Sequence, residues 1–190
     1  MKSVVVGSLL YLLSISLSSA DDPPRVVVSI KPIHALVAGL MRDVSPPSLV
    51  VRGRSTPYDY TLTDADRARL EQADLLIWVG RELEPFLADS AARKGSDGAI
   101  ELLSLQALKI LPQRYDAELR DPFFWLDTRN ALILISLLTE MLSNVDPPRA
   151  HIYRNNHRDL RRRLQEIDRA FEYGYRGVSG RPVLLYHDTQ

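Results

Sequence analysis

The sequence predicts an α/β fold: an N-terminal parallel-sheet lobe, one long helix and the first strand of a second α/β lobe. Three observations support this prediction. Short apolar or β-branched runs alternate with helix-like stretches at short spacing, which favours a parallel sheet covered on both faces. A charged stretch from Pro147 to about Tyr173 has helical periodicity. Beyond it, a glycine-rich turn is followed by a new apolar run, Pro182 to Tyr186, typical of a buried strand.

The elements of the first lobe follow from local patterns. Turn formers bound each predicted strand, and Thr63 and Thr128 are each placed to cap a helix. A polar stretch with two glycines, Ser90 to Gly98, predicts an exposed loop. The predicted strands are Val26–Ile30, Ser48–Val51, Leu75–Val79 and Ile100–Leu105, and the predicted helices are Ile33–Met41, Thr63–Ala73, Glu84–Ala92 and Thr128–Asn144.

The long helix carries a regular apolar stripe. Leu160, Leu164, Ile167 and Phe171 are spaced four, three and four residues apart, which places them on one side of a helix. At 1.5 Å per residue the helix should be roughly 40 Å long.

The first twenty residues have the pattern of a cleavable signal peptide. Lys2 provides a positive start, Val4 to Leu17 are almost entirely apolar, and Ser18 and Ala20 are the small residues expected before a cleavage site. The apolar run is too short for a typical membrane-spanning helix of roughly twenty residues. The sequence therefore predicts export of a soluble chain.

Composition narrows the functional classes further. The 24 basic and 24 acidic residues give a formal net charge of zero, which argues against a nucleic-acid partner. The absence of cysteine excludes disulfides, thiolate metal sites and a lipid-modified cysteine. An exported, unlipidated chain without disulfides indicates a bacterial periplasm.

Five segments resemble the periplasmic solute-binding proteins of zinc and manganese ABC transporters, with the zinc-uptake type the closer. They occur in the family's order and cover nearly all of the chain after residue 20. The segments are Val28–Val37 (VSIKPIHALV), Tyr58–Asp66 (YDYTLTDAD), Ala73–Phe86 (ADLLIWVGRELEPF), Asp121–Asp127 (DPFFWLD) and Val183–Asp188 (VLLYHD).

This resemblance implies a specific organisation. Two α/β lobes are joined by a rigid helix, and a divalent metal held between them is delivered to an ABC permease in the inner membrane. The implied divisions are a signal peptide at 1–20, the N-terminal lobe at 21–146, the linker helix at 147–176 and an incomplete C-terminal lobe at 177–190. A monomer is expected, and the sequence lacks the nucleophile-elbow, HExxH and P-loop motifs of common enzyme classes.

The ligand set implied by the resemblance is broken in this chain. The family uses three histidines and a late carboxylate, a donor set suited to zinc. Tyr58 stands where the first histidine is expected, and Phe123 where the second is expected. Only the third, His187, is retained, and the fourth ligand would lie beyond Gln190. The resemblance therefore predicts His187 as the one retained metal ligand, with zinc as the candidate metal.

These residues leave two functional hypotheses open. Asp59 and Asp188 could add oxygen ligands for a weakly held or harder cation. Alternatively, Tyr58 and Phe123 line a cleft that recognises a non-metal ligand or a protein. Ser90 to Asp116 also lacks the histidine-rich loop that many zinc-type members carry.

The other histidines favour structural roles. His34 follows Pro32 at a strand-to-helix turn, where capping or packing is expected. His151 and His157 are six residues apart on the charged helix, which is not the i, i+4 spacing of a helical metal pair, and solvent exposure is expected for both. The run Arg161 to Arg163 is interpreted as a solvated helix face.

Overall fold

The computed structural model describes residues 22–114 and 116–177, which form a four-stranded parallel sheet and five α-helices. The strand order is β2-β1-β3-β4. The strands are β1 (Val26–Val28), β2 (Ser48–Leu49), β3 (Leu75–Trp78) and β4 (Ala99–Glu101), and the helices are α1 (Lys31–Leu40), α2 (Asp64–Gln72), α3 (Ala88–Gly98), α4 (Thr128–Val145) and α5 (Ala150–Tyr175).

The predicted α/β class is confirmed, because apolar residues of the central strands pack on both faces of the sheet. Side chains of successive strand residues point to opposite faces. Val26 and Val28 join a core that includes residues of α1, α4 and α5. Val27 and Leu76 join the second core, which includes residues of α2 and α3.

The first two strands are shorter than predicted, although hydrogen bonding continues past their ends. Ser29 donates its backbone N–H to the carbonyl of Ile77, and Val51 donates to the carbonyl of Ser29. The chain therefore stays fixed for one or two residues beyond the regular ladder. This extension holds the loops that follow β1 and β2 at the carboxyl edge of the sheet.

Thr63 caps α2 as the sequence predicts. Its hydroxyl accepts from the backbone N–H of Asp66 at 3.2 Å, while Asp66 Oδ2 accepts from the backbone N–H of Thr63 at 3.1 Å. This reciprocal capping box satisfies two donors that a helix start leaves unpaired.

The predicted loop at Ser90–Gly98 is wrong, because these residues belong to α3. Alanines favour the helix, and Ala91 packs against the sheet, so burial outweighs the polar composition. Gly95, with φ of 68°, marks a kink where two helical stretches meet. The helix also begins later than predicted, after a 3-10 turn at Pro85–Leu87, because a residue before proline disfavours the α conformation.

Two other predicted boundaries are corrected. The strand predicted at Ile100–Leu105 is β4, which ends at Glu101 and passes into a 3-10 turn at Leu102–Ser104. The cap of α4 is Asp127 rather than Thr128, since Asp127 Oδ1 accepts from the N–H of Arg129 at 2.8 Å. Thr128 instead donates its hydroxyl to Asp168 of α5 at 2.6 Å.

The long charged helix is present as α5, preceded by a 3-10 turn at Pro147–Arg149. Its apolar stripe is only partly buried. Leu160 packs on the main core beside Gly39, whereas Ile167 is 49% exposed and Phe171 is 56% exposed. The second half of α5 therefore extends beyond the packing provided by α1 and α4.

Several predictions lie outside the described residues: the signal peptide at 1–20, the strand at Pro182–Tyr186, and His187 and Asp188. Within the described ranges, no helix is both long and apolar enough to span a membrane. The division into lobes and linker stays a prediction.

Candidate metal centre

The loop after β2 brings the first expected ligand position to the carboxyl edge of the sheet. Tyr60 anchors this loop, since its hydroxyl lies 2.9 Å from Asp66 Oδ2 and 3.0 Å from the Val50 carbonyl. Its ring also lies 5.4 Å from that of Phe86, measured between centroids. The loop residues just before Tyr60 are thus held next to the sheet rather than free.

Tyr58 and Asp59 are presented to solvent from this anchored loop. Tyr58 is 61% exposed. Asp59 is exposed, and its Oδ1 accepts from the Thr56 hydroxyl at 2.6 Å. The structure therefore leaves the Tyr58 phenol accessible, while one oxygen of Asp59 is already engaged within the loop.

The second expected ligand position lies in the segment Asp121–Asp127, here called the Asp-Pro segment. Asp121 is nearly fully buried, and its Oδ1 accepts from the backbone N–H of Phe123 at 2.9 Å. The Phe123 ring stands edge-on to Trp125, with centroids 5.5 Å apart. An aromatic pair therefore occupies the place where the resemblance implies an imidazole.

The charge of the Asp-Pro segment acts on the loop that carries Tyr58. The pKa of the Tyr58 phenol is raised, first by partial burial and then by the negative charge of Asp121. Both influences disfavour the phenolate, so Tyr58 is a neutral phenol at neutral pH. The pair offers a carboxylate and a hydroxyl, which are hard oxygen donors rather than the nitrogen donors expected for zinc.

No group of three or more His, Cys, Asp or Glu side chains within residues 22–114 and 116–177 is arranged to hold a metal ion. His187, the ligand predicted from the sequence, and the nearby Asp188 lie outside these ranges. Among the described residues near the carboxyl edge of the sheet, Asp121 contacts Phe123 directly and influences Tyr58 through its charge.

Sequence reasoning missed an ion-pair cluster beside the Asp-Pro segment. Arg120 contacts Glu82 through two nitrogens, at 2.5 and 2.9 Å, and its Nη2 also contacts Glu101 Oε1 at 2.9 Å. Glu82 and Glu101 are 38 and 19 residues away from Arg120 in the sequence, so no local sequence pattern predicts the cluster. Burial alone would raise the pKa of Glu82, but the hydrogen bonds and charge of Arg120 outweigh it and lower that pKa.

Glu84 was also missed, and it is fully buried beneath the same edge. Its Oε2 accepts from the backbone N–H of Val79 at 2.7 Å. The Ser29 side chain lies beside it and lowers its pKa, yet neither Glu84 Oε1 nor Ser29 Oγ has a hydrogen bond of good geometry. Burial therefore dominates and raises the pKa of Glu84 to about 7. The apolar neighbours of Glu84 in the sequence, Leu83 and Pro85, were the local pattern that could have predicted its burial.

The three remaining histidines, His34, His151 and His157, lie in different environments. A ring nitrogen of His34 lies 2.9 Å from the carbonyl of Pro47, in keeping with the packing role expected for it. His151 is exposed. His157 differs from expectation, because it is half-buried and lies 3.1 Å from the Ser136 hydroxyl. Its pKa is lowered by burial and by the nearby Arg161 and Arg158.

Comparison with known proteins gives a consistent family match. The family model described as "ZnuA: Zinc-uptake complex component A periplasmic" matches residues 26–190. The high-affinity zinc uptake system protein ZnuA of Brucella abortus (strain 2308) is 26% identical over 214 residues, which cover 90% of this chain. The chain spans 64% of that relative's length.

Two solved structures share the fold. Zn(II)-bound AdcA from Streptococcus pneumoniae aligns with a TM-score of 0.69 at 18% identity, covering 80% of this chain and 32% of that protein. The Mn-bound periplasmic metal-binding protein from Candidatus Liberibacter asiaticus aligns with a TM-score of 0.65 at 22% identity, covering 75% and 53%. This chain therefore shares the fold of part of each of these longer proteins.

Proposed function

The chain belongs to the family of periplasmic zinc-uptake component A proteins, and from this we propose that it is the solute-binding component of a divalent-metal ABC uptake transporter. Its role would be to capture a cation in the periplasm and deliver it to an inner-membrane permease. It would act as a monomeric binding protein without catalytic residues.

One observation carries the proposal beyond the family match. The resemblance identifies the segments around Tyr58 and around Asp121 as ligand-bearing, and they are close enough for the charge of Asp121 to raise the pKa of Tyr58. Ligands of open α/β sheets bind at the carboxyl edge of the sheet. This supports a site at the family's position in which two of the side chains differ.

We further propose that the metal affinity is reduced and the preference shifted towards harder ions. Phenylalanine has no donor atom, and a neutral phenol is a weak ligand for zinc. His187 would supply the one retained imidazole, with Asp188 or Asp59 as additional oxygen donors. Such a set favours manganese-like ions over zinc, relative to a three-histidine site.

A second function is favoured by the aromatic surface itself. Tyr58 is largely exposed, and Phe123 and Trp125 of the Asp-Pro segment are half-buried. Aromatic side chains at an accessible edge can recognise an organic ligand or a protein surface through stacking and apolar contact. In this alternative the fold persists as a non-metal binding or interaction module.

Calorimetric titration of the metal-stripped chain with zinc and with manganese distinguishes the two functions. The metal-binding proposal predicts one-to-one binding that His187→Ala abolishes. It also predicts that Tyr58→His combined with Phe123→His strengthens zinc binding, because two imidazoles are restored. Tyr173→His, on an exposed part of α5, is the matched control. Absence of binding by the unsubstituted chain at millimolar metal would favour the non-metal module.

A further inference from the structure

Arg120 lies immediately before the Asp-Pro segment. It joins this segment to Glu82, in the loop after β3, and to Glu101, at the end of β4. We propose that Arg120 is a positioning residue that fixes the Asp-Pro segment against the sheet and thereby sets the geometry of the candidate metal site. This inference rests on the proposed function for its metal-binding part and on the geometry alone for its positioning part.

The first support is the form of the contact. Glu82 follows β3 by four residues, and its carboxylate meets Arg120 through both Nε and Nη2, at 2.5 and 2.9 Å. Glu101 is the last residue of β4, and its Oε1 lies 2.9 Å from the same Nη2. A two-nitrogen contact of this kind restrains orientation as well as distance. Arg120 is therefore tied to the ends of two adjacent strands at once.

The second support is the hairpin that delivers Arg120. The backbone N–H of Gln113 donates to Leu119 at 2.8 Å, and that of Asp121 donates to Leu111 at 2.7 Å. A bridge between Pro112 and Arg120 closes the hairpin. Because the hairpin leads directly into Asp121, a rigid attachment at Arg120 is transmitted to Asp121 within one residue.

The third support is the close packing at Gly80, beneath the ion pairs. A Cβ at Gly80 would lie 3.1 Å from Glu101 Oε1 and 3.3 Å from Glu82 Oε2, and only 2.9 Å from Leu103 Cδ1. The backbone of Gly80 has φ of 152°, which a side chain would also oppose. The absence of a side chain lets both carboxylates approach the backbone while they face Arg120.

These contacts fix a stretch that otherwise lacks regular structure. Between the 3-10 turns at Leu102–Ser104 and Phe124–Leu126, the described chain has no helix and no strand apart from the isolated bridge. Asn130 holds one end, bonding the N–H and the carbonyl of Lys109 at 2.9 Å each. Arg120 holds the other end. A long irregular stretch held at both ends can place a binding residue reproducibly.

Hydrogen-exchange mass spectrometry tests the positioning role on the purified chain, with Arg120→Gln, Arg120→Lys and the exposed Arg67→Gln as control. The proposal predicts about tenfold faster exchange across residues 109–127 in Arg120→Gln, with little change in the strands. Arg120→Lys should recover part of the protection, since it restores the charge but not the two-nitrogen contact. Unchanged exchange in 109–127, or an equal increase throughout the chain, would overturn the proposal.

Zinc and manganese titrations of the same variants test the consequence for the site. Loss of a residue that orients a metal-bearing segment weakens metal binding by about tenfold or more. Faster exchange combined with unchanged metal affinity would overturn the role of Arg120 in the site. If the unsubstituted chain binds neither metal, the proposed function fails, and the exchange experiment still decides whether Arg120 positions the segment.

Discussion

Glu84 should make the stability of this lobe fall as the pH rises through neutrality. Its carboxyl is completely buried, its Oε1 has no hydrogen bond of good geometry, and its pKa is about 7 in the folded chain. The ordinary value of 4.5 applies to the unfolded chain. The folded state therefore holds the proton more tightly, and this stabilising contribution is complete below about pH 4.5 and lost as the pH rises through about 7.

The magnitude follows from the same two values. At about 1.4 kcal/mol per pH unit, the gap between 4.5 and about 7 corresponds to about 3 kcal/mol. About 2 to 3 kcal/mol of this should be lost between pH 5 and pH 8. Glu84→Gln keeps the size and the acceptor oxygen but cannot ionise. Its free energy of unfolding should therefore gain about that amount relative to the unsubstituted chain over this interval.

Urea unfolding followed by circular dichroism at pH 5, 6, 7 and 8 measures this difference. Glu140→Gln makes the same chemical change at an exposed position of α4 and should follow the unsubstituted chain at every pH. Parallel stability curves for Glu84→Gln and the unsubstituted chain would refute the reasoning. They would mean that the buried carboxyl ionises without cost, through hydration or a partner that the burial argument omits.

Two further predictions concern contacts that hold helices in place. Thr63→Ala removes the reciprocal cap of α2 and should lower the free energy of unfolding by about 1 kcal/mol in urea titration, whereas the exposed Thr61→Ala should change it by less than about 0.5 kcal/mol. Equal effects of the two substitutions would contradict the capping argument. Tyr153→Phe removes a buried hydroxyl that donates to Asp146 at 2.7 Å and should cost about 1 to 3 kcal/mol, measured by thermal unfolding, while Tyr173→Phe, 77% exposed, should be neutral. A neutral Tyr153→Phe would show that Asp146 is satisfied without it.

The parts of the fold that the sequence predicts well are those encoded locally. The valines of β1 and the apolar run of β3 indicate buried strands by composition alone. Thr63 and Asp66 have the spacing of a capping box, and the structure contains that box. In each case the residues that determine the structure are neighbours in the chain, so their pattern can be read directly.

The parts that were missed depend on distant partners. α3 is helical because Ala91 packs against the sheet, which outweighs its polar and glycine-containing sequence. Arg120 contacts both Glu82 and Glu101 because β3 and β4 are paired side by side in the sheet. For the candidate site, the sequence identified the positions of Tyr58 and Phe123 through family resemblance. The influence of the Asp121 charge on Tyr58 depends on the three-dimensional fold and could not be predicted from local sequence.

The arrangement also separates the exposed side chain of Tyr58 from the residues that stabilise the fold. The two cores lie on the faces of the sheet, and the strand ends are fixed by backbone hydrogen bonds and by Arg120. Tyr58 stands outside both cores, so its identity contributes little to folding stability. A substitution at Tyr58 can therefore change the chemistry of the carboxyl edge of the sheet without a comparable loss of folding stability.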